Sequence, residues 1–86
     1  METRVAIISI ILENTERAEQ LNAVLHEYGD YILGRMGLPY RKRGINIICI
    51  ALDAPQDTIN TIAGRIGRID GISTKTVYSS GTFPAE

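Results

Sequence analysis

His26 is the only histidine and Cys49 the only cysteine in this chain of 86 residues. Histidine can serve as general base, proton shuttle or metal ligand, and a thiolate as nucleophile or ligand, but each needs partners. Cys49 lies inside the apolar run INIICIALD, residues 45–53, and reads as a buried small hydrophobe in a reducing compartment. One thiol closes no intrachain bridge. Ser9 sits inside a second apolar run, RVAIISIIL, with no other histidine to activate a hydroxyl. The carboxylates Glu13, Glu16, Glu19, Glu27, Asp30, Asp53, Asp57 and Asp70 are scattered, and the junction after RVAIISIIL reads LENTER, not a glycine-rich phosphate loop. These residues make no catalytic set. The chain is expected not to be an enzyme and to hold no cofactor and no metal, with His26 the one weak candidate ligand.

His26 opens the stretch HEYGDYILGRMGLP, residues 26–39. What precedes it reads as a helix: Asn14 and Thr15 are candidate N-caps, Glu16 and Glu19 suit the first turn, and Ala18, Leu21, Leu25 and Tyr28 recur on one helical face. Gly29 stops that helix at the position after its cap. YILGRMGLPY, residues 31–40, reads as a strand with Ile32, Met36 and Leu38 on one face. Its glycines and Pro39 suit an edge strand. RKRG, residues 41–44, is the hairpin turn; its three cations read as a solvated tip.

Around this stretch the elements alternate. RVAIISIIL, residues 4–12, and INIICIALD are β-branched, short and apolar, which marks buried strands. Pro55 suits the first position of a second helix, whose stripe is Ile59, Ile62, Ala63, Ile66 and Ile69. Gly64 and Gly67 within it are expected to allow close approach to the sheet. Asp70-Gly71 turns the chain into ISTKTVYSS, residues 72–80, and the tail SSGTFPAE is expected to be loosely held. The order β-α-β-β-α-β gives an α+β, ferredoxin-like (ACT-like) sandwich, an antiparallel four-stranded sheet with two helices on one face and strand order 4-1-3-2. Residues 1–86 form one domain.

The two central strands of that sheet are apolar on both faces. The first shows Val5, Ile7 and Ile11 opposite Ala6, Ile8, Ile10 and Leu12; the third shows Ile45, Ile47, Cys49 and Ala51 opposite Ile48, Ile50 and Leu52. Helices cover only one face, so the other exposes a patch of several hundred Å². Covering ~500 Å² of it offers roughly 12 kcal/mol of transfer free energy before association costs. A homo-oligomer, dimer or tetramer through the open sheet face, is therefore expected. A domain this small also gains from a partner.

The net charge of −1 gives no electrostatic footprint for nucleic acid. No apolar run reaches the ~18 residues of a membrane span. The N-terminal stretch METRVAIISIILENTE reads as a strand and not a signal peptide, so the expected location is cytoplasmic.

The element order, the RVAIISIIL opening, the HEYGD helix end and the hairpin into INIICIALD resemble the C-terminal regulatory domain of the nickel-responsive repressors. They resemble more closely the small stand-alone iron-only hydrogenase system regulators. The resemblance covers nearly the whole chain. It implies an ACT-like domain that assembles in a bacterial cytoplasm and is linked to regulating a hydrogenase system, with a further regulatory protein as a possible partner. The repressors hold nickel with one histidine at the end of the first helix, a His-x-His on the second strand and a cysteine at the start of the third. With Asp30 as anchor, those positions fall on His26, on Gly37 and Pro39, and on Ile45. Three of the four offer no donor, so no square-planar site is expected. The repressors also carry a ribbon-helix-helix ahead of this domain; here the first strand starts near residue 4, so regulation is expected to proceed without a DNA-binding module of the chain's own. ACT-like domains bind small effectors beside the first strand-helix loop, which implies Asn14 and Thr15 as ligand candidates; His26, Tyr28 and Tyr31, at the other end of the helix, are the candidates for a subunit contact or cleft. The remaining alternative is an assembly module with no small-molecule ligand.

Overall fold

Residues 2–84 are described by a computed structural model. The strands are β1 (Glu2–Leu12), β2 (Ile32–Tyr40), β3 (Ile45–Ala54), β4 (Ile72–Tyr78) and β5 (Phe83–Pro84), and the helices are α1 (Ala18–Glu27) and α2 (Gln56–Gly67). The sheet runs β2-β3-β1-β4, every pairing is antiparallel, and β5 pairs with β1. This is the expected ferredoxin-like α+β arrangement, with β1 and β3 in the middle.

The period of two along β1 and β3 decides which side chains meet the helices. Ala6, Ile8, Ile10 and Leu12 of β1 and Ile48, Ile50 and Leu52 of β3 are buried. Leu21, Val24 and Leu25 of α1, and Ile59, Ile62 and Ile66 of α2 with Ile69 just beyond it, close over them. The α2 stripe is the one read from the 3.6-residue spacing, with Ala63 packed at its margin.

Several expectations need correction. Ile32 does not share a face with Met36 and Leu38. A bulge at Leu33, between Ile32 paired with Leu52 and Gly34 paired with Ala51, reverses the alternation, so Ile32 packs on the core while Met36 and Leu38 face away. An extra residue in one strand shifts every later side chain to the other face. Gly29 follows the cap of α1 but lacks a positive φ; the chain continues through a 3₁₀ turn, Gly29–Tyr31, before β2. Pro55 is the N-cap of α2 and not its first residue. Gly64 and Gly67 are not forced by close packing, since an added Cβ would meet its nearest neighbour at 3.9 and 3.7 Å, ordinary contact distances.

The tail is held over part of its length. Ser79 N–H donates to Val5 O at 2.8 Å, and Phe83 and Pro84 pair with Thr3 and Glu2, giving a fifth short strand. Thr82 Oγ1 also donates to the Glu2 carboxylate. Residues 85 and 86 lie outside the described part of the tail.

Candidate functional site

His26 projects from the last turn of α1 and is exposed. Its neighbours in sequence are tied inward. Glu27 Oε2 pairs with Arg65 Nη1 of α2 at 2.5 Å. The same nitrogen donates to Tyr28 Oη at 3.2 Å, and the Arg65 guanidinium carbon lies 5.5 Å from the centre of the Tyr28 ring. The Glu27 hydrogen bond first, then that of Tyr28, raises the Arg65 pKa above its ordinary, already high value. This cluster, Tyr28 included, latches α1 to α2. Tyr31 is exposed in the 3₁₀ turn, where its N–H donates to Tyr28 O at 3.0 Å.

Asn14 and Thr15 lie at the other end of α1. Asn14 Oδ1 accepts from Glu16 N–H at 3.1 Å and caps a 3₁₀ turn, Thr15–Arg17, that leads into the helix. Its backbone N–H donates to Gly71 O. Since α1 has 10 residues, the two groups of candidates stand about 15 Å apart. They do not form one site.

A cleft does lie between α1 and the edge strand. It encloses about 250 Å³, with Ala18, Leu21 and Asn22 on one wall and Gly37, Leu38 and Pro39 on the other. Arg35 crosses it: its Nη2 donates to Asn22 Oδ1 at 3.1 Å. A shallower depression on the far side of Arg35 reaches His26 and Gly29. Arg35 and Asn22 were not singled out from the sequence. The bulge at Leu33 turns Arg35 toward the helices, and no local pattern announces a bulge. Of the positions that match nickel ligands in the repressors, Gly37 and Pro39 border this cleft without a side-chain donor. Among the described residues, no three His, Cys, Asp or Glu side chains gather where they could hold a metal ion.

The larger feature is the sheet face that the helices leave open. The cross-strand register places Val5, Ile7, Ser9 and Ile11 of β1 there, with Ile47, Cys49, Ala51 and Asp53 of β3, Ser73, Lys75 and Val77 of β4, and Met36, Leu38 and Tyr40 of β2. Ile7, Ile11 and Ile47 are 43%, 42% and 41% exposed, and Val77, Leu38 and Met36 are 63%, 60% and 70% exposed. Cys49, expected to be buried, is half-buried because it points to this face. The patch amounts to roughly 700 Å², above the usual largest patch of a monomer. The hairpin cations Arg41, Lys42 and Arg43 stand exposed at one end of the sheet, on a turn closed by Gly44 with φ of 67°.

Two helices on one face of an antiparallel sheet, with the other face open and apolar, define the class of the chain as an α+β, ferredoxin-like domain. Residues 4–76 match the family model TM1266-like, described as "Iron-only hydrogenase system regulator, putative", and the chain belongs to that family. The solved structure of TM1266 from Thermotoga maritima, itself described as uncharacterized, is similar at 38% identity with a TM-score of 0.84, over 88% of this chain and 96% of that one. A formyltetrahydrofolate deformylase from Pseudomonas putida KT2440 is similar at 15% identity with a TM-score of 0.61, over 85% of this chain but only 28% of that one. That second likeness is one of fold. No curated protein matches the chain significantly. No helix among the described residues is long and apolar enough to cross a membrane.

Proposed function

We propose that the chain is a non-catalytic regulatory domain of an iron-only hydrogenase system and works as a homo-oligomer, most simply a dimer, that buries the open sheet face. The family description supports the regulatory role. The open face of β2, β3, β1 and β4, with Met36, Leu38, Ile47, Ile7, Ile11 and Val77, supports the assembly. Its area of roughly 700 Å² is close to what one partner contributes to a standard stable interface. A two-fold pairing is self-complementary, using the same patch on both copies.

Within this reading the cleft beside Arg35 is the place for a small effector. Arg35, Asn22 and Asn46 supply polar groups, and Leu12, Leu21 and Ile48 supply apolar walls, the mixture that small-molecule sites use. Asn14, whose side chain caps the turn leading into α1, favours instead the reading of an assembly module without a ligand.

Two experiments test the proposal. Ile7→Glu places a charge in the middle of the open face and, in a host with an iron-only hydrogenase, should abolish regulation while the variant stays folded by circular dichroism. Unaltered regulation by a folded monomeric variant contradicts the role of assembly. A thermal-shift screen with amino acids and divalent metals should give a concentration-dependent rise for an effector, lost in Arg35→Ala. A silent screen favours the assembly module.

A further inference from the structure

The open face carries two charges among its described strand residues, and they are opposite in sign. Asp53 lies across from Val5 on the β3 side of β1. Lys75 lies across from Ser9 on the β4 side. Ile7, midway between Val5 and Ser9, pairs with Ala51 on one side and Val77 on the other. Asp53 and Lys75 are thus placed symmetrically about Ile7. Two strand spacings across and four residues along put them roughly 16 Å apart, too far to pair within one chain.

Asp53 lacks a donor. Its Oδ1 is buried without a hydrogen-bond partner, the one such side-chain atom among the described residues, although the residue as a whole is only half-buried. Buried acceptors are ordinarily satisfied, and an orphan calls for an explanation. That oxygen has no exposed surface of its own, so a donor from outside the chain reaches only the exposed remainder of this half-buried residue.

We infer that Asp53 of each copy pairs with Lys75 of the other, twice in one dimer, and that these two pairs set the angle at which the sheets pack. This rests on the homodimer proposed above and goes beyond it by fixing the arrangement. When two identical faces meet, the two-fold axis lies in the plane between them. An axis through Ile7, perpendicular to the line from Asp53 to Lys75, carries each charge onto its opposite. On a flat projection the same operation stacks Ile7 on its own copy, sets Val77 over Val5 of the second copy and leaves Met36 on the axis. At these positions apolar groups meet apolar groups, while Ile11, Ile47 and Leu38 project past β2 of the second copy. The strands of the two sheets cross at about 70°, near the orthogonal class of sheet packing. An aligned packing about the same centre brings neither charge to its opposite, and an unpaired buried charge is costly.

Charge reversal tests the pairing. Sedimentation equilibrium on the full chain gives the dimer Kd of wild type, Asp53→Lys, Lys75→Asp and the double reversal, with circular dichroism melts checking that each folds. Each single reversal places like charges together twice and should raise Kd roughly tenfold or more, and the double reversal should return it to within about threefold of wild type. If a reversal fails to fold, Asp53→Asn and Lys75→Met should each weaken the dimer in its place. A dimer whose Kd ignores both charges, or whose double reversal is as weak as the singles, overturns the pairing and leaves the dimer standing. A wild-type chain that stays monomeric overturns the dimer itself. Zero-length carbodiimide coupling of a mixture of ¹⁴N- and ¹⁵N-labelled protein should yield a mixed-isotope Asp53–Lys75 peptide; a link found only elsewhere counts against this axis.

Discussion

Gly44 and Gly71 are the two glycines with positive φ, 67° and 78°, and replacing each by alanine separates backbone strain from steric contact. In the left-handed region a Cβ costs about 1 kcal/mol. At Gly44 that is the whole cost, because nothing lies within 4 Å of the added carbon. At Gly71 the carbon would stand 2.4 Å from Asn14 Cβ, 3.1 Å from Asn14 N and 3.3 Å from Asn14 Cα. Two of those atoms are backbone and cannot swing aside. The chain must open where Gly71 O accepts from Glu13 N–H at 2.7 Å and from Asn14 N–H at 3.2 Å. Weakening both bonds adds about 2 kcal/mol to the strain, for a total near 3 kcal/mol. In a domain of this size the melting temperature should fall by about 6 °C for Gly44→Ala and by about 18 °C for Gly71→Ala. Differential scanning calorimetry at one fixed protomer concentration measures both, since assembly couples concentration to stability. Equal losses at the two sites would refute the assignment of steric contact to Gly71.

Further outcomes follow from packing and charge. Gly64→Ala should stabilise by about 0.5–1 kcal/mol in urea unfolding, because the helix gains rigidity and the new Cβ meets only Arg68 Nη2 at 3.9 Å; a loss would show hidden crowding beneath α2. Ile50→Ala, at a residue with no exposed surface, should cost about 2–5 kcal/mol. Ile47→Ala, on the open face, should change stability far less in dilute protein and weaken self-association instead. The raised Arg65 pKa contributes stability that is complete below the unfolded-state value and is lost only as pH rises through the higher folded-state value. That window lies beyond the ordinary alkaline range. The difference in melting temperature between wild type and Arg65→Met should therefore stay constant from about pH 7 to about pH 9, and a difference that shrinks across that range contradicts the assigned cause.

Much of the fold was legible because two periods were clean. Alternation in RVAIISIIL and INIICIALD assigned every side chain of the central strands to its face, and the isoleucine stripe of α2 assigned its buried edge. β2 was harder to read. Its edge position frees it from packing on most of its length, so composition did not constrain its phase, and the bulge at Leu33 moved Arg35 into the cleft unannounced. The short pairing of Phe83 and Pro84 with Thr3 and Glu2 was equally hidden, since two residues carry no period. Of the ligand and interface candidates, His26, Tyr28 and Tyr31 stand near one another at the end of α1, whereas Asn14 and Thr15 lie at its start, where the Asn14 side chain is engaged as a cap. Asp53 and Lys75 drew no notice as a pair, because their relation exists only across three strands.

The open sheet face is where the account is most exposed to test. Sedimentation equilibrium of the untagged chain at micromolar concentration, beside its Ile7→Glu variant, measures that directly. A wild-type mass at twice that of the protomer, or a higher even multiple, with a folded Ile7→Glu monomer, is the result predicted. A wild-type chain that stays at the 9.5 kDa of one protomer across that range would contradict it.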